Sequence, residues 1–282
     1  MDPAEFRARS RERWERVAPG WAARRAEFQA GAAVVSEWMV DAIAPQPGQT
    51  VLELAAGPGD TGLLAAQRLR PGGKLISTDG AEAMVGIALT RAHELGLDDI
   101  VEARTMEAEW IDLKAASVDG VLCRWGYMLL ADPEAALRDT RRVLRPDGRV
   151  ALAVWARAAE NPLISAGGKI AVELGLVESP PAGEPGPFAL ADRDELTELL
   201  ASAGFTEIVI ENLDFDMTFA DADAVFEHQR DLSPMFSELL PTLSPADHYA
   251  FREMFDERLS QFATPDGNIV VPCRTLVASA SG

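Results

Sequence analysis

The fold of this chain is decided by the stretch Gly48-Gln-Thr-Val-Leu-Glu-Leu-Ala-Ala-Gly-Pro-Gly-Asp-Thr-Gly62. Its first part, residues 50–55, has the composition of a buried strand, with one acid, Glu53, among apolar side chains. Glycines then crowd a short turn, and an apolar run typical of a helix follows. In the order strand, glycine turn, helix, backbone N–H groups and a helix N-terminus face a bound ligand. The stretch therefore predicts an α/β protein with a ligand site after its first strand.

The rest of the chain continues this alternation of strands and helices. We predict further strands at residues 74–78, 100–105, 118–124, 149–155, 205–213 and 269–278. We predict helices at residues 61–69, 81–95, 133–144, 192–203 and, with interruptions, 219–262. Short apolar strands that alternate with helices indicate a parallel sheet covered on both faces. The alternation pauses at residues 156–191, where one short helix and the proline-rich loop 179–187 are expected.

Residues 1–44 are predicted to be helical, with a break at Pro19-Gly20. This helical cap either packs as ordinary core or closes a ligand pocket as a lid. Its arginines are Arg7, Arg9, Arg11, Arg13, Arg16, Arg24 and Arg25. We expect them to form a solvated helix face, because pairs three or four residues apart are common on helices. The expected partners are Glu5, Glu12, Glu15 and Glu27.

The charge, the cysteine content and the apolar runs of the chain restrict the classes of partner that it can bind. The 45 acids outnumber the 26 basic residues, for a net charge of −19, which argues against a nucleic-acid binder. Cys123 and Cys273 are too few for a disulfide scaffold or a zinc site, and no metal is expected. No apolar run approaches the roughly 20 residues of a membrane span, and the arginine-rich start does not resemble a secretion signal. We therefore expect a cytoplasmic protein that binds no membrane.

The informative positions are those that directly follow each predicted strand, because open α/β sheets bind ligands at the carboxyl ends of their strands. The glycine turn follows the first strand, and its spacing Gly57-x-Gly59-x-x-Gly62 formally fits a dinucleotide fingerprint. Asp79 follows the second strand and either holds two ribose hydroxyls or caps the next helix. Residues 106–109 and 124–128 follow the third and fourth strands.

Four segments occur here in a familiar order. They are Val51-Leu-Glu-Leu-Ala-Ala-Gly-Pro-Gly59, Ser77-Thr-Asp-Gly-Ala-Glu-Ala-Met84, Met106-Glu-Ala-Glu109 and Leu144-Arg-Pro-Asp-Gly-Arg-Val-Ala-Leu-Ala-Val154. On these segments the chain resembles a class I S-adenosylmethionine-dependent methyltransferase of the small-molecule, ubiquinone-biosynthesis-like branch. The resemblance implies a Rossmann-like, seven-stranded, mostly parallel sheet with helices on both faces and an antiparallel last strand. It divides the chain into a helical cap, 1–44, and a methyltransferase domain, 45–282, with insertions at 156–191 and 214–266.

The resemblance also implies a binding site for S-adenosylmethionine, with S-adenosylhomocysteine as product. The residues assigned to the cofactor are Glu53, Ala55, Gly57, Gly59, Asp79, Gly80, Met84, Met106, Glu107, Ala108 and Arg124. Glu53 would order the turn, and the turn would line the methionine part. Arg124 and Trp125 would lie near the sulfonium. Ala55 stands where the family usually has glycine, and we expect its φ to be negative because of its methyl group.

The adenosine part would be bound by the residues that follow the second and third strands. Asp79 would accept hydrogen bonds from the ribose hydroxyls, and Met84 would pack on the adenine. Glu107 would face the adenine amino group, and the Ala108 amide would meet a ring nitrogen. Aspartate is commoner than glutamate at position 107, which leaves the adenine contact less defined than the ribose contact.

The charges of the predicted site agree with a sulfonium cofactor, which needs acids and no phosphate clamp. Asp60, inside the turn, opposes the pyrophosphate of a dinucleotide. An NAD(P)-dependent oxidoreductase and a non-catalytic S-adenosylmethionine-binding protein are the alternatives. A general base is needed only for a protonated acceptor, and the candidates are Tyr127 and His228. We expect the partner to be a small, partly hydrophobic metabolite, while O-, N- and C-methylation, and the oligomeric state, stay open.

Overall fold

A computed structural model describes residues 2–179, 181 and 183–282. One sheet organises it, and its strands are β1 (Thr50–Glu53), β2 (Lys74–Asp79), β3 (Val101–Thr105), β4 (Val118–Arg124), β5 (Leu144–Trp155), β6 (Thr206–Phe219) and β7 (Ile269–Ser281). Their order across the sheet is β3-β2-β1-β4-β5-β7-β6. The pairs from β3 to β5 are parallel, whereas β7 runs antiparallel to both β5 and β6. The predicted fold class, including the antiparallel last strand, is confirmed.

Helices cover both faces of this sheet. They are α1 (Pro3–Ile43), α2 (Asp60–Leu69), α3 (Glu82–Glu94), α4 (Pro133–Val143), α5 (Pro162–Glu173), α6 (Arg193–Ser202), α7 (Ala222–Leu232), α8 (Pro234–Leu239) and α9 (Pro245–Ser260). Helix α6 begins as predicted, since the Asp192 carboxylate accepts hydrogen bonds from the N–H groups of Asp194 and Glu195. No helix in the described part of the chain has the length and apolar character of a membrane span.

The predicted break at Pro19-Gly20 is wrong, because α1 continues through both residues from Pro3 to Ile43. A proline inside a helix removes one backbone hydrogen bond. Tertiary contacts hold the helix together here. A side chain on Gly20 would come within 2.0 Å of the Asp231 carbonyl oxygen on α7. At the next residue, the Trp21 indole N–H donates to the Leu232 carbonyl at 3.1 Å.

The insertion predicted at 214–266 also begins too early. Strand β6 continues to Phe219, and its last residues pair with β7 in register up to Phe219 opposite Ile269. The helical insertion therefore starts after residue 219, with α7. Two residues of the predicted loop 179–187, Pro180 and Ala182, lie outside the described residues.

Candidate active site

The glycine turn between β1 and α2 is held by one buried acid, Glu53. Its Oε1 accepts the Gly62 N–H at 2.6 Å, and its Oε2 accepts the Ser77 hydroxyl at 2.8 Å. A side chain on Gly62 would lie only 2.2 Å from Oε2, so glycine is required there. Burial raises the pKa of Glu53 to about 7, although both hydrogen bonds oppose that shift. Glu53 thus fixes the first turn of α2, as predicted.

The backbone of the turn differs from the expectation at one residue. Ala55 has a φ of +48°, so the predicted negative φ is wrong. This left-handed conformation costs a residue with a Cβ about 1–2 kcal/mol. Gly126 makes it possible, since a side chain there would lie 2.6 Å from the Ala55 methyl group. The Ala56 N–H also donates to the Thr78 carbonyl at 2.9 Å, which holds the turn against β2.

Asp79, at the end of β2, accepts two backbone hydrogen bonds. Its Oδ2 accepts the Gly57 N–H at 2.8 Å, and its Oδ1 accepts the Ala81 N–H at 2.9 Å. Burial raises the pKa of Asp79 to about 6, and the charge of Glu107 adds to that rise. Asp79 therefore ties the glycine turn to the start of α3, and both earlier interpretations of this residue, ligand acid and helix-start acceptor, fit its position.

The predicted adenosine-binding residues lie together beside Asp79. The Met106 N–H donates to the Asp79 carbonyl at 3.0 Å, which brings the third segment next to the second. A side chain on Gly80 would lie 3.4 Å from the Glu107 carboxylate, in ordinary contact. Ala108 and Met84 are buried. The topology thus gathers these residues at the carboxyl ends of β2 and β3.

The first half of α1, residues 3–20, covers this group. Trp14 and Ala18 pack in one apolar cluster with Ala81 and Met84. Glu15 accepts the backbone N–H groups of residues 82 and 83 at the start of α3, where the orphan donors of a helix need partners. Arg11 donates to Glu107 at 2.9 Å, and Arg7 lies 3.5 Å from Glu109. These contacts come from distant sequence positions, and the helix amphipathicity alone did not reveal them.

The predicted pairing of the α1 arginines with glutamates of the same helix is therefore wrong for most of them, although Arg9, Arg11 and Arg16 are exposed as predicted. Arg24 and Glu27 form an ion pair within α1. The other pairs reach acids on other elements: Arg7–Glu109, Arg11–Glu107, Arg13–Glu238, Arg16–Glu238, Arg24–Glu227, Arg24–Asp231 and Arg25–Asp60. The reason is that α1 lies across the sheet edge, where acids of α2, α7, α8 and the loop after β3 face it.

Arg124 does not lie with the adenosine group. Its guanidinium is buried between α1 and α2, where it donates to the Ser36 hydroxyl at 2.9 Å and lies 3.8 Å from Asp60. It also lies over the rings of Phe28 and Trp125, at 5.8 and 5.0 Å from their centres. The predicted neighbour of the sulfonium thus serves as a link between the glycine turn and α1.

Trp125 begins an aromatic cluster at the carboxyl ends of β4 and β5. Its φ of +56° is unusual for a bulky residue, and such strain concentrates at functional sites. Its ring stacks on Trp155 with centres 4.4 Å apart and planes 8° apart. The Trp125 indole N–H donates to Thr275 at 3.1 Å. Phe215 and Phe28 pack against the same ring, at 6.3 and 5.5 Å.

The two acid–base candidates lie in different surroundings. The Tyr127 hydroxyl is inside the core, 2.7 Å from the Thr140 hydroxyl, and burial raises its pKa well above 10. This environment gives Tyr127 a packing role and disfavours proton transfer. His228 on α7 lies 6.2 Å from the ring of Phe28 in the aromatic cluster, and its Nδ1 bonds Glu27. Glu27 was missed by the sequence reasoning, since 201 residues separate the pair.

The described residues contain no group of three or more His, Cys, Asp or Glu side chains suited to a metal ion. The order of the seven strands, the glycine turn after β1 and the acid after β2 define a Rossmann-like methyltransferase fold. The comparison with known proteins gives the same class. Residues 52–152 match Methyltransf_11, a methyltransferase domain family.

Two curated relatives carry related names. Nocamycin O-methyltransferase of Saccharothrix syringae is 29% identical over 217 residues, which span 68% of this chain and 71% of that enzyme. The ubiquinone/menaquinone biosynthesis C-methyltransferase UbiE of Acidiphilium cryptum is 36% identical over 124 residues, 42% of this chain and 48% of that enzyme. The matched part thus spans about half the length of several curated relatives.

The fold also matches solved structures. The crystal structure of the YcgJ protein of Bacillus subtilis agrees with a TM-score of 0.58 at 17% identity, over 88% of this chain and 98% of that one. At this identity the likeness concerns the fold. Together with the family match over residues 52–152, the relatives and the fold support a class I small-molecule methyltransferase that uses S-adenosylmethionine.

Proposed function

We propose that this protein transfers a methyl group from S-adenosylmethionine to a small, partly hydrophobic metabolite, and that it acts in the cytoplasm. The observation that carries the proposal is the convergence of two surfaces at one edge of the sheet. One is the group of acids at the carboxyl ends of β1, β2 and β3, which are Glu53, Asp79 and Glu107. The other is the aromatic cluster that begins at Trp125 after β4. The acids suit a cationic methyl donor, and the aromatic cluster beside them suits an apolar acceptor.

The residues present fit the cofactor. A side chain on Gly57 would meet no atom within 4 Å, so the turn faces open space where the methionine part would lie. Asp79 and Glu107 offer carboxylates to the ribose and the adenine, and Met84 offers an apolar wall. Trp14 packs against Met84, and Arg11 pairs with the Glu107 carboxylate, so both side chains occupy positions assigned to the adenosine. The first half of α1 therefore has to move aside when the adenosine binds.

The same turn disfavours a dinucleotide. A pyrophosphate needs free N–H groups at the start of α2. Here the Gly62 N–H already donates to Glu53, and Asp60 places a carboxylate at the first helical residue. The arrangement therefore supports the methyltransferase over the NAD(P)-dependent oxidoreductase.

The bound cofactor supplies an electrophilic methyl carbon on a cationic sulfur. The residues of this chain orient the reactants and exclude water. Alignment of donor and acceptor in a dry pocket lowers the barrier by several kcal/mol. Trp125 and Trp155, which are buried and stacked on each other, would form part of the apolar wall beside the acceptor, and the left-handed backbone of Trp125 sets the direction of its ring.

Calorimetric titration with S-adenosylmethionine, S-adenosylhomocysteine and NADH tests the cofactor half of this proposal. We expect binding of the first two ligands and none of NADH, while binding of NADH alone would refute it. Asp79→Ala is expected to weaken S-adenosylmethionine binding by about 1–3 kcal/mol, since the ribose hydroxyls lose their acceptor. Release of S-adenosylhomocysteine with a metabolite panel then separates an enzyme from a protein that only binds the cofactor.

A further inference from the structure

Glu27 on α1 and the buried His228 on α7 form a partly buried pair. The Nδ1 atom of His228 lies 2.5 Å from Oε1 of Glu27, and the imidazole is 2% exposed. An ionised carboxylate only accepts hydrogen bonds, so Nδ1 carries the proton and Nε2 keeps its lone pair. No protein hydrogen bond reaches Nε2 within the described part of the chain. An imidazole oriented by a carboxylate in this way is arranged as a base.

The position of this pair connects it to the proposed reaction site. The His228 ring stacks on Phe28 at 6.2 Å and meets the edge of Phe219 at 5.0 Å. Phe28 in turn contacts Trp125 edge-on at 5.5 Å. One aromatic ring, that of Phe28, therefore separates the imidazole from Trp125, the residue that follows β4. Phe28 and Phe219 provide the apolar side of this environment, and Glu27 provides the polar side.

We propose that His228 is the general base of the methyl transfer, positioned by Glu27, and that the acceptor is a phenolic or enolic hydroxyl on an apolar body. This inference rests on the proposed function. The acceptor O–H bond breaks and its proton goes to Nε2. The oxygen forms a bond to the methyl carbon as the carbon–sulfur bond breaks, and that electron pair stays on sulfur.

The charges around His228 suit this task. Burial lowers the pKa of His228, and the positive charge of Arg24 lowers it further. The hydrogen bond and charge of Glu27, and the charge of Asp231, act in the opposite direction. The lowered pKa keeps the imidazole neutral at neutral pH, as a base must be. Activity should therefore be lost as the pH falls through the pKa of His228.

The test uses the full-length protein with S-adenosylmethionine and three phenols of rising acidity: 4-methylphenol, 4-chlorophenol and 4-nitrophenol. Benzylamine and benzyl mercaptan serve as nitrogen and sulfur acceptors of similar size. For His228→Gln we expect kcat to fall about 100-fold or more with 4-methylphenol. The loss should shrink with 4-nitrophenol, which ionises in solution, and KM should change little. His248 lies on α9, away from Trp125 and Phe28, so His248→Gln is the matched control and should keep wild-type kcat.

Glu27→Gln provides the second variant. It preserves the size of the side chain but removes the negative charge, so the acid limb of the pH–rate profile should move to lower pH. A purely structural tie between α1 and α7 would lower activity without moving that limb.

Equal losses of kcat on all three phenols would refute the role of His228. Methylation restricted to the amine or the thiol would refute the hydroxyl acceptor, as would S-adenosylmethionine binding without methylation of any phenol. Absence of S-adenosylmethionine binding would instead contradict the proposed function, so the two failures are distinguishable.

Discussion

The two halves of α1 belong to one continuous helix but contact the protein in opposite ways. The first half, residues 3–20, fully buries only Val17 and Ala18, and otherwise reaches the body through the partly buried Trp14, the Glu15 carboxylate and ion pairs. The second half, residues 21–43, packs on the sheet through its buried side chains, which are Phe28, Ala32, Val35, Ser36, Met39, Val40 and Ile43. Apolar burial stabilises more strongly than partly exposed ion pairs. The second half is therefore an anchor, and the first half is a cover that can be released.

The largest expected difference between the halves is in stability. Phe28→Ala should lower the free energy of unfolding by about 3–5 kcal/mol, because it leaves a cavity among Trp21, Trp125 and His228. Phe6→Ala, in the first half, should cost less than about 1 kcal/mol, since Phe6 is only half-buried. Urea unfolding of both variants measures this comparison. Equal losses would mean that the first half is anchored as firmly as the second.

The second largest effect is expected at the surface that the first half of α1 covers, where S-adenosylmethionine is proposed to bind. Asp79, with its pKa raised to about 6, is ionised above that pH and protonated below it. A cationic cofactor that donates hydrogen bonds to it prefers the ionised form. The affinity for S-adenosylmethionine should thus fall as the pH drops below about 6, by up to about tenfold per pH unit. Calorimetry on Asp79→Asn should show weaker S-adenosylmethionine binding that no longer changes with pH in this range. An unchanged pH dependence would mean that another acid causes it.

A smaller effect is expected from releasing one ion pair of the cover. Arg11→Ala frees the Glu107 carboxylate, and the partly exposed pair stabilises the cover by at most about 1 kcal/mol. S-adenosylmethionine should then bind up to about fivefold more tightly. Arg9→Ala, an exposed arginine of the same helix, is the control and should leave the affinity unchanged. Weaker binding by Arg11→Ala would instead indicate that Arg11 contacts the bound cofactor.

The smallest expected effect concerns salt. Raising the ionic strength from about 0.1 M to about 1 M shortens the Debye length from about 10 Å to about 3 Å, which weakens partly exposed ion pairs. Amide hydrogen exchange should then speed up in residues 3–16 and stay the same in residues 28–43. Faster exchange in both segments would contradict the division of α1 into cover and anchor.

Sequence and structure agree best where the determinants are local. The strand, the glycine turn and the helix of residues 50–69 follow from neighbouring residues, and so does the start of α6 at Asp192. The rule that ligand sites lie at the carboxyl ends of parallel strands also predicted that Asp79 and Glu107 lie close together. Each of these predictions needed only short-range patterns and one topological rule.

The predictions that failed depended on distant partners. The positive φ of Ala55 is possible only because Gly126, from the loop after β4, leaves room for its methyl group. Helix α1 survives Pro19 because α7 packs against it, and its arginines find acids on elements far along the chain. The Glu27–His228 pair has no local signal, since its two members are 201 residues apart.

The continuity of α1 has a mechanical consequence. A helix of 41 residues is a rod about 60 Å long, and Glu27 lies on the same rod as Trp14. Displacement of the first half of α1 by the adenosine would tilt the helix axis and change the hydrogen bond between Glu27 and His228. By thermodynamic linkage, if cofactor binding weakens the contact between Glu27 and His228, an intact contact weakens cofactor binding by the same free energy. His228, which contacts α1 near its middle, would then respond to whether the first half of the helix has been displaced by the cofactor.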